Sequence, residues 1–217
     1  MRNRLVVFVL PLAVLLGPVW AADQPPAPVQ LPTPRTAGGM PLMQALELRA
    51  TSREFAPDPL PPQILSDLLW AACGINRPGS GMRTAPSAHN WQETDVYVVT
   101  ASGAYLFDAR GNRLAPVASG DLRPLAGVQA FVKEAPVTLV FVADTARMKG
   151  ASPEMRQTYA WADAAFVSEN VYLFCASSGL ATGVRAMVDR PPLAKALKLA
   201  PTHLITLAQC VGYPKTR

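Results

Sequence analysis

The chain has 217 residues, half of them hydrophobic, and a formal net charge of +5 at pH 7. Its 20 lysine and arginine residues form no continuous basic run, which argues against nucleic acid as a partner. The length suits one domain of ordinary size with a core of its own.

The N-terminal segment MRNRLVVFVLPLAVLLGPVWAADQ has a basic start, an apolar run and small residues around Ala21. This pattern predicts a signal peptide over residues 1–21. The apolar run is short for a membrane span, which takes about 20 apolar residues. We therefore expect cleavage, export to the periplasm or medium, no membrane anchor afterwards, and a mature charge of 5 − 2 = +3 after loss of Arg2 and Arg4.

A proline-rich stretch, DQPPAPVQLPTPRTAGG, follows the predicted cleavage point. Its composition predicts an extended, solvated linker over residues 22–40. The folded domain is then expected over residues 41–217. Because Asn3 separates the two N-terminal arginines, the signal is not of the twin-arginine type, and we expect the chain to cross the membrane unfolded.

Hydrophobic periodicity and turn signals predict the elements of the domain. In chain order these are helices at 41–50 and 62–72, strands at 96–100 and 104–108, a turn before 113–114, a helix at 121–132, a buried strand at 137–143, a long helix at 153–179, a strand at 182–187, a helix at 192–199 and a strand at 203–211. This order predicts an α+β fold with a central mixed or antiparallel sheet flanked by helices. The long helix is apolar almost all round, which indicates burial and favours a homodimer.

The cysteines and histidines form no recognisable site. Cys73, Cys175 and Cys210 lie far apart in apolar settings and are expected to be buried thiols, although export leaves a disulfide open. His89 and His203 have no ligand partners at useful spacing, so no metal site is predicted.

Three polar stretches are candidates for ligand binding. In RATSREF, residues 49–55, two guanidinium groups flank hydroxyls and suit a phosphate, unless they simply end a helix in solvent. In SAHN, residues 87–90, an amide suits the edge of a heterocycle, unless the stretch caps a strand. The basic tail GYPKTR is either a third ligand-binding stretch or a solvated tail. The dinucleotide, P-loop and hydrolase-elbow motifs do not occur.

The order of these signals is more specific than any one of them. The chain carries R-x-x-x-R-x-F, PPQILSDLLWAACGINR, RTAPSAHNWQETDVYVV, GAYLFDARGNRLAPV, APVTLVFVAD, DAAFVSENVYLFCASSGLATGVR and LAQCVGYPK in succession. Over about residues 42–217 it resembles the FMN-dependent nitroreductase family, in particular the thiazole/oxazole dehydrogenase-like (SagB-type) branch. The resemblance implies an intertwined homodimer with FMN at the subunit interface. It also implies ping-pong hydride transfer from a donor such as NAD(P)H to a second small molecule.

The resemblance also implies the residues of the flavin site. Arg49 and Thr51 match phosphate and ribityl contacts, and Arg53 matches a cation near the pyrimidine edge. Pro86, Ser87 and Asn90 match the segment that the partner subunit contributes. Ala186 and Met187 match the backbone beside flavin N5, and Lys215 and Arg217 match a C-terminal phosphate clamp. The chain departs from the family pattern at Ala50 and Ala88, where a basic residue and a serine are common. It departs again at Ala186 and Met187, which replace an acidic or glycine-rich pair.

No side chain is an obvious proton donor, and His89 is the one candidate catalytic residue. Trp91, Tyr97 and Tyr105 are candidates to line the substrate pocket. These features leave two alternatives to an oxidoreductase. One is a flavin-binding or sensing protein of the same fold without turnover, and the other is an interaction protein of the cell envelope.

Overall fold

The computed structural model describes residues 26–215, so the predicted signal peptide and Arg217 lie outside the described residues. The strands are β1 Val29–Gln30, β2 Ile75–Arg77, β3 Met82–Arg83, β4 Thr94–Val99, β5 Gly103–Asp108, β6 Arg113–Ser119, β7 Val137–Asp144, β8 Ala181–Arg185 and β9 His203–Gly212. The α-helices are α1 Leu42–Leu48, α2 Pro62–Cys73, α3 Pro153–Ser177 and α4 Arg190–Ala196. None of these helices is long and apolar enough to span a bilayer.

Seven strands form the central sheet, in the order β1-β6-β5-β4-β7-β9-β8, and every neighbouring pair is antiparallel. The strands β2 and β3 form a separate hairpin. The α+β class with a central sheet and flanking helices is thereby confirmed, and the sheet is antiparallel rather than mixed. The predicted hairpin is the pair β4–β5, in which Val98 faces Tyr105.

The two central strands β4 and β7 are buried on both faces, which explains their continuous apolar runs. Because successive side chains of a strand point to opposite faces, each strand serves two cores. Leu139 and Phe141 pack with α2 and α3 on one face. Val140 and Val142 pack with α4 and the segment before β7 on the other. The α3 side of the sheet carries most of the candidate site.

The helix α3 begins and ends with recognisable capping groups. Ser152 accepts a hydrogen bond from Met155 N at 3.2 Å, and Pro153 occupies the first turn, where its missing N–H is not needed. Gly179 follows the helix with φ +67°, the left-handed conformation that commonly ends helices. The predicted helix over 153–179 is confirmed within two residues.

The helix predicted over 121–132 is wrong. The chain forms two short 3-10 helices there, Arg123–Leu125 and Ala130–Lys133. Pro124 and Gly127 disfavour a continuous α-helix. The buried Arg185 also binds the carbonyl oxygen of Ala126, with Nε at 3.2 Å and a terminal nitrogen at 2.8 Å. That carbonyl is therefore unavailable to a regular helix.

The described part of the predicted linker, residues 26–40, lies against the domain instead of in solvent. The short strand β1 pairs with β6, and Leu31 is buried in the α2–α3 core. Arg35 binds the buried carboxylate of Asp67 through its main-chain N and its guanidinium. An extended, proline-rich chain is compatible with this edge position because few of its N–H groups are needed for pairing.

Candidate functional site

The loop 49–56 follows α1 and runs in extended form along the edge of the sheet. Ser52 N donates to Thr182 O of β8 at 2.8 Å, and Ala56 N donates to Tyr213 O at 2.9 Å. A Cβ atom at Gly183 would lie 2.6 Å from Ser52 O, so this close approach requires glycine. The loop is thus held against β8 and the end of β9.

Tyr172 of α3 supports this loop through its hydroxyl and its ring. Its hydroxyl accepts a hydrogen bond from Val184 N at 3.0 Å and lies 2.8 Å from Thr51 Oγ1. Arg49 Cζ lies 5.3 Å from the centre of its ring, within cation–π range. The sequence analysis did not identify Tyr172. A usable signal was present, since a tyrosine in a helix that is apolar all round is expected to be buried, and a buried phenol needs a hydrogen-bond partner.

Three cationic side chains lie at this edge of the sheet. Arg49 and Arg53 belong to the loop, and Lys215 is brought beside it by the bridge between Phe55 and Pro214. None of the three forms an ion pair with a carboxylate of residues 26–215. Unpaired guanidinium and ammonium groups with a nearby hydroxyl suit a phosphate.

The segment Ala186–Met187 leaves the far end of β8 and is exposed. Five residues of strand separate it from the Lys215 end of the sheet, about 17 Å at roughly 3.4 Å per residue. Arg185, which is 7% exposed, fixes this end through Ala126 O and Cys210 Sγ. Burial lowers the pKa of Arg185 from its ordinary value, and no carboxylate within residues 26–215 forms an ion pair with it.

The second predicted group, Pro86, Ser87 and Asn90, lies in a strained loop before β4. His89, Asn90 and Gln92 have positive φ angles of 50°, 54° and 49°. Such conformations are uncommon for residues other than glycine and concentrate at functional sites. Ser87 Oγ accepts from Gln92 N at 2.8 Å, so the hydroxyl does help to cap this turn.

The two predicted groups are not joined within one chain. Among residues 26–215, no hydrogen bond or ion pair connects residues 86–92 with residues 49–53 or Lys215. The strained loop is attached to Asp163 of α3, whereas the loop 49–53 is attached to Tyr172, about 13 Å further along that helix at 1.5 Å per residue. The structure brings together Arg49, Thr51, Arg53 and Lys215 and leaves Ser87 and Asn90 apart.

His89, Trp91 and Tyr159 form an aromatic cluster on the outer side of the strained loop. The ring of Trp91 lies 4.6 Å from that of His89 and 5.9 Å from that of Tyr159. His89 is exposed, and the cluster contains no cysteine, serine or threonine. Tyr97 and Tyr105, by contrast, are buried in the two cores, so their prediction as pocket-lining residues is wrong.

Two buried carboxyl groups lie beneath the strained loop, and sequence reasoning missed both. Glu93 is 0% exposed and Asp163 is 2% exposed. Asp163 Oδ2 accepts a hydrogen bond from Ala88 N at 2.8 Å. Burial, together with the negative charge of Asp163, raises the pKa of Glu93 to about 7.

The three cysteines are buried and unpaired, as expected of buried thiols. Burial raises the pKa of Cys73 to about 11 and also raises the pKa of Cys175 and Cys210, so all three stay protonated at neutral pH. Within residues 26–215, no group of three or more His, Cys, Asp or Glu side chains could hold a metal ion.

A large groove of about 720 Å³ lies elsewhere, between the N-terminal segment, α2 and α3. Arg35, Leu42, Trp70, Asn170 and Phe174 are among its lining residues. None of the predicted flavin-site residues that fall within 26–215 lines it. The groove adjoins the apolar surface of α1, on which Leu42 is 61% exposed.

The comparisons with known proteins all identify the same family. The sequence profile of the nitroreductase family matches residues 46–213. Two proteins described as “putative nitroreductase” are similar to the chain. The crystal structure of one, from Ralstonia eutropha JMP134, is 40% identical with a TM-score of 0.84, covering 90% of this chain and 96% of that chain. The other, from Methanocaldococcus jannaschii, is 27% identical over 151 residues, which are 65% of this chain and 76% of that protein.

A more distant likeness concerns fold alone. A chain of the E. coli microcin synthetase McbBCD complex, solved with truncated pro-MccB17 bound, is 18% identical with a TM-score of 0.67. The alignment covers 98% of this chain and 85% of that chain.

Proposed function

The chain belongs to the nitroreductase family, and we propose that it is an FMN-dependent oxidoreductase of the thiazole/oxazole dehydrogenase-like branch. It passes hydride from a donor such as NAD(P)H to a small-molecule acceptor, with donor and acceptor bound in turn at one site. The observation that carries the proposal is the loop 49–53, which Tyr172 and Gly183 hold against β8.

The residues of this edge fit FMN. Arg49 and Lys215 would hold the phosphate, and Thr51 the ribityl chain. Arg53 would place a positive charge near the pyrimidine edge. The exposed main chain at 186–187 would line the ring, in a position that Arg185 fixes from the buried side. FMN itself supplies the hydride chemistry when bound, while the protein binds, orients and shields it.

Pro86, Ser87 and Asn90 would complete the site of the other subunit in a homodimer. Their separation from the loop 49–53 within one chain supports this arrangement. The apolar surface of the monomer supports it too, since Leu42, Met43, Leu46 and Leu48 of α1 and Phe166 of α3 are 45–76% exposed. Apolar patches of this kind mark interaction surfaces, and homodimers with two-fold symmetry are the commonest oligomers.

Export through residues 1–21 would place the protein in the periplasm, where it would take up FMN after crossing the membrane unfolded. FMN would then stabilise the native state by about 2.7 kcal/mol at a hundredfold excess over Kd. The function needs no nucleic acid, and cleavage would leave the protein without a membrane anchor.

A flavin-binding or sensing protein without turnover is the second candidate function. Met187, which is 60% exposed beside the expected ring position, favours it because its side chain could restrict access to the ring. The exposed His89 belongs to the strained loop and not to the loop 49–53, so this candidate proton donor does not lie beside the phosphate and ribityl contacts of the same chain.

Visible spectroscopy tests the proposal. The purified full-length mature protein should bind FMN and turn yellow, bleach anaerobically with NAD(P)H, and recover its colour with a quinone or nitroaromatic acceptor.

The double variant Arg49→Ala/Arg53→Ala should lose FMN. The matched control Arg110→Ala/Lys149→Ala, with the same change of charge at exposed positions outside the site, should retain it. A protein that cannot be reconstituted contradicts the proposal, and FMN binding without turnover favours the second candidate.

A further inference from the structure

The strained loop 86–92 is attached to the rest of the chain mainly through polar contacts. Ala88 N donates to Asp163 Oδ2, and Arg147 donates to Gln92 O at 3.0 Å. Arg83 Nε donates to Gln92 Oε1 at 3.1 Å. Because three residues of this loop hold left-handed conformations, these contacts must offset the backbone strain, which is of the order of 1–3 kcal/mol per residue.

The contact to Asp163 differs from the others because a second carboxyl group lies against it. Glu93 immediately follows the loop, is completely buried, and is within hydrogen-bonding reach of Asp163. Its Oε2 atom has no hydrogen-bond partner among the described residues. Neither carboxyl group forms an ion pair with a described cation.

Two buried carboxylates in contact repel each other, and each also loses its hydration. One proton shared between them removes the repulsion and leaves one buried charge instead of two, since a protonated carboxyl group donates a hydrogen bond to its neighbour. Asp163 then keeps an oxygen for Ala88 N.

We infer that Glu93 and Asp163 are positioning residues that share one proton, and that this proton holds the loop 86–92 in the form that presents Ser87 and Asn90 to FMN. The link to FMN rests on the proposed function. Loss of the proton would place two negative charges beneath Ala88 and loosen the loop. FMN binding would then weaken as the pH rises.

The other ionisable groups around the pair do not replace this proton. They are Cys73 on α2, Arg83 on β3, His89 in the loop, Asp95 on β4, Arg147 after β7, and Tyr159 on α3. Arg147 is bound to Asp95 and Asp144, and Arg83 to Gln92. The thiol of Cys73 stays protonated. The test removes the imidazole of His89, which stacks on Trp91 and would otherwise affect its emission directly.

The fluorescence of Trp91, which stacks on His89, reports on the loop without FMN. We would titrate the full chain carrying His89→Gln from about pH 5 to about pH 9 before adding FMN, and subtract a matched sample that also carries Trp91→Phe. The emission should change with a midpoint near pH 7, and the change should disappear when Glu93→Gln is added. No transition, or one that persists with Glu93→Gln, overturns the inference.

FMN affinity provides the second measurement. Above the midpoint, Kd should rise by up to about tenfold per pH unit, since binding then takes up one proton, and with Glu93→Gln it should stay nearly constant. Equal affinity for FMN on both sides of the transition overturns the inference. If FMN does not bind at any pH, the proposed function fails, and the Trp91 titration still decides whether the shared proton fixes the loop.

Discussion

Tyr172 is the residue on which the loop 49–53 depends most. Its hydroxyl joins Thr51 to Val184, and its ring lies under Arg49. The substitution Tyr172→Phe keeps the ring and removes both hydrogen bonds of the hydroxyl. We expect the free energy of unfolding to fall by about 1–2 kcal/mol, because Val184 N loses its partner, and FMN affinity to fall several-fold.

Chemical denaturation and an FMN titration measure these two effects. The matched control is Tyr159→Phe on the same helix, since the Tyr159 hydroxyl forms no hydrogen bond with a described residue. The control should change neither quantity. Equal losses in both variants would show that Tyr172 contributes only as a general packing residue.

Glu93 makes the stability of the fold depend on pH. Its pKa is about 7 in the folded protein, above the ordinary value of 4.5, so the folded state holds a proton that the unfolded state releases earlier. The corresponding stabilisation is fully present below about pH 4.5 and is lost as the pH rises through 7. Relative to Glu93→Gln, the wild-type melting temperature should therefore fall between these values. If the melting temperatures of the two proteins change with pH in the same way, Glu93 does not contribute this pH dependence.

At the level of elements, the N-terminal segment is held by one buried carboxylate. Burial alone would raise the pKa of Asp67, but hydrogen bonds from Arg35 N, Gln63 and the Arg35 guanidinium outweigh it and lower the pKa below its ordinary value. The carboxylate therefore stabilises the fold above its unfolded pKa, and this contribution is lost as the pH falls through the lowered value.

The substitution Asp67→Asn should detach this segment. We expect a loss of about 1–3 kcal/mol in unfolding free energy, since a buried charged acceptor is removed, and faster amide exchange at residues 29–35. Hydrogen exchange and denaturation at neutral pH measure both. Asp58→Asn, at an exposed position, is the control and should leave both unchanged. Unchanged protection in Asp67→Asn would mean that β1 and Leu31 hold the segment alone.

The two wrong predictions of local structure have a common cause in contacts distant along the chain. The segment 121–132 has apolar residues at helical spacing, yet Arg185 captures Ala126 O from across the sheet edge. The proline-rich segment resembles a linker, yet Asp67 and Leu31 fix it. Local periodicity contains no information on either partner, so these two segments were mispredicted. Five strands (β4, β5, β7, β8 and β9) and the helices α2 and α3 have a local pattern and were predicted, whereas the short strands β1–β3 and most of β6 were not.

For the molecule as a whole, the candidate ligand-binding groups were easier to predict from the sequence than the groups that support them. Arg49, Thr51, Arg53 and Lys215 could be predicted because cations and hydroxyls have a local signature, and the structure places them at one edge. The supporting contacts of Tyr172, Glu93 and Asp163 join residues that are 12 to 121 positions apart along the chain, so they could be identified only from the fold.

The proposed flavin site is built by two subunits. Two inactive variants test it, Arg49→Ala/Arg53→Ala and Ser87→Ala/Asn90→Ala, each of which damages one half of the site. Equal amounts would be unfolded together, refolded with FMN and assayed for bound flavin and NAD(P)H oxidation.

Random pairing makes half of the dimers mixed, and each mixed dimer has one intact site, so about a quarter of the wild-type flavin content and activity should return. Separately refolded variants should return none. If the mixture stays as inactive as its components while wild-type protein survives the same refolding, the two halves do not meet across a dimer interface, which contradicts a flavin site shared by two subunits.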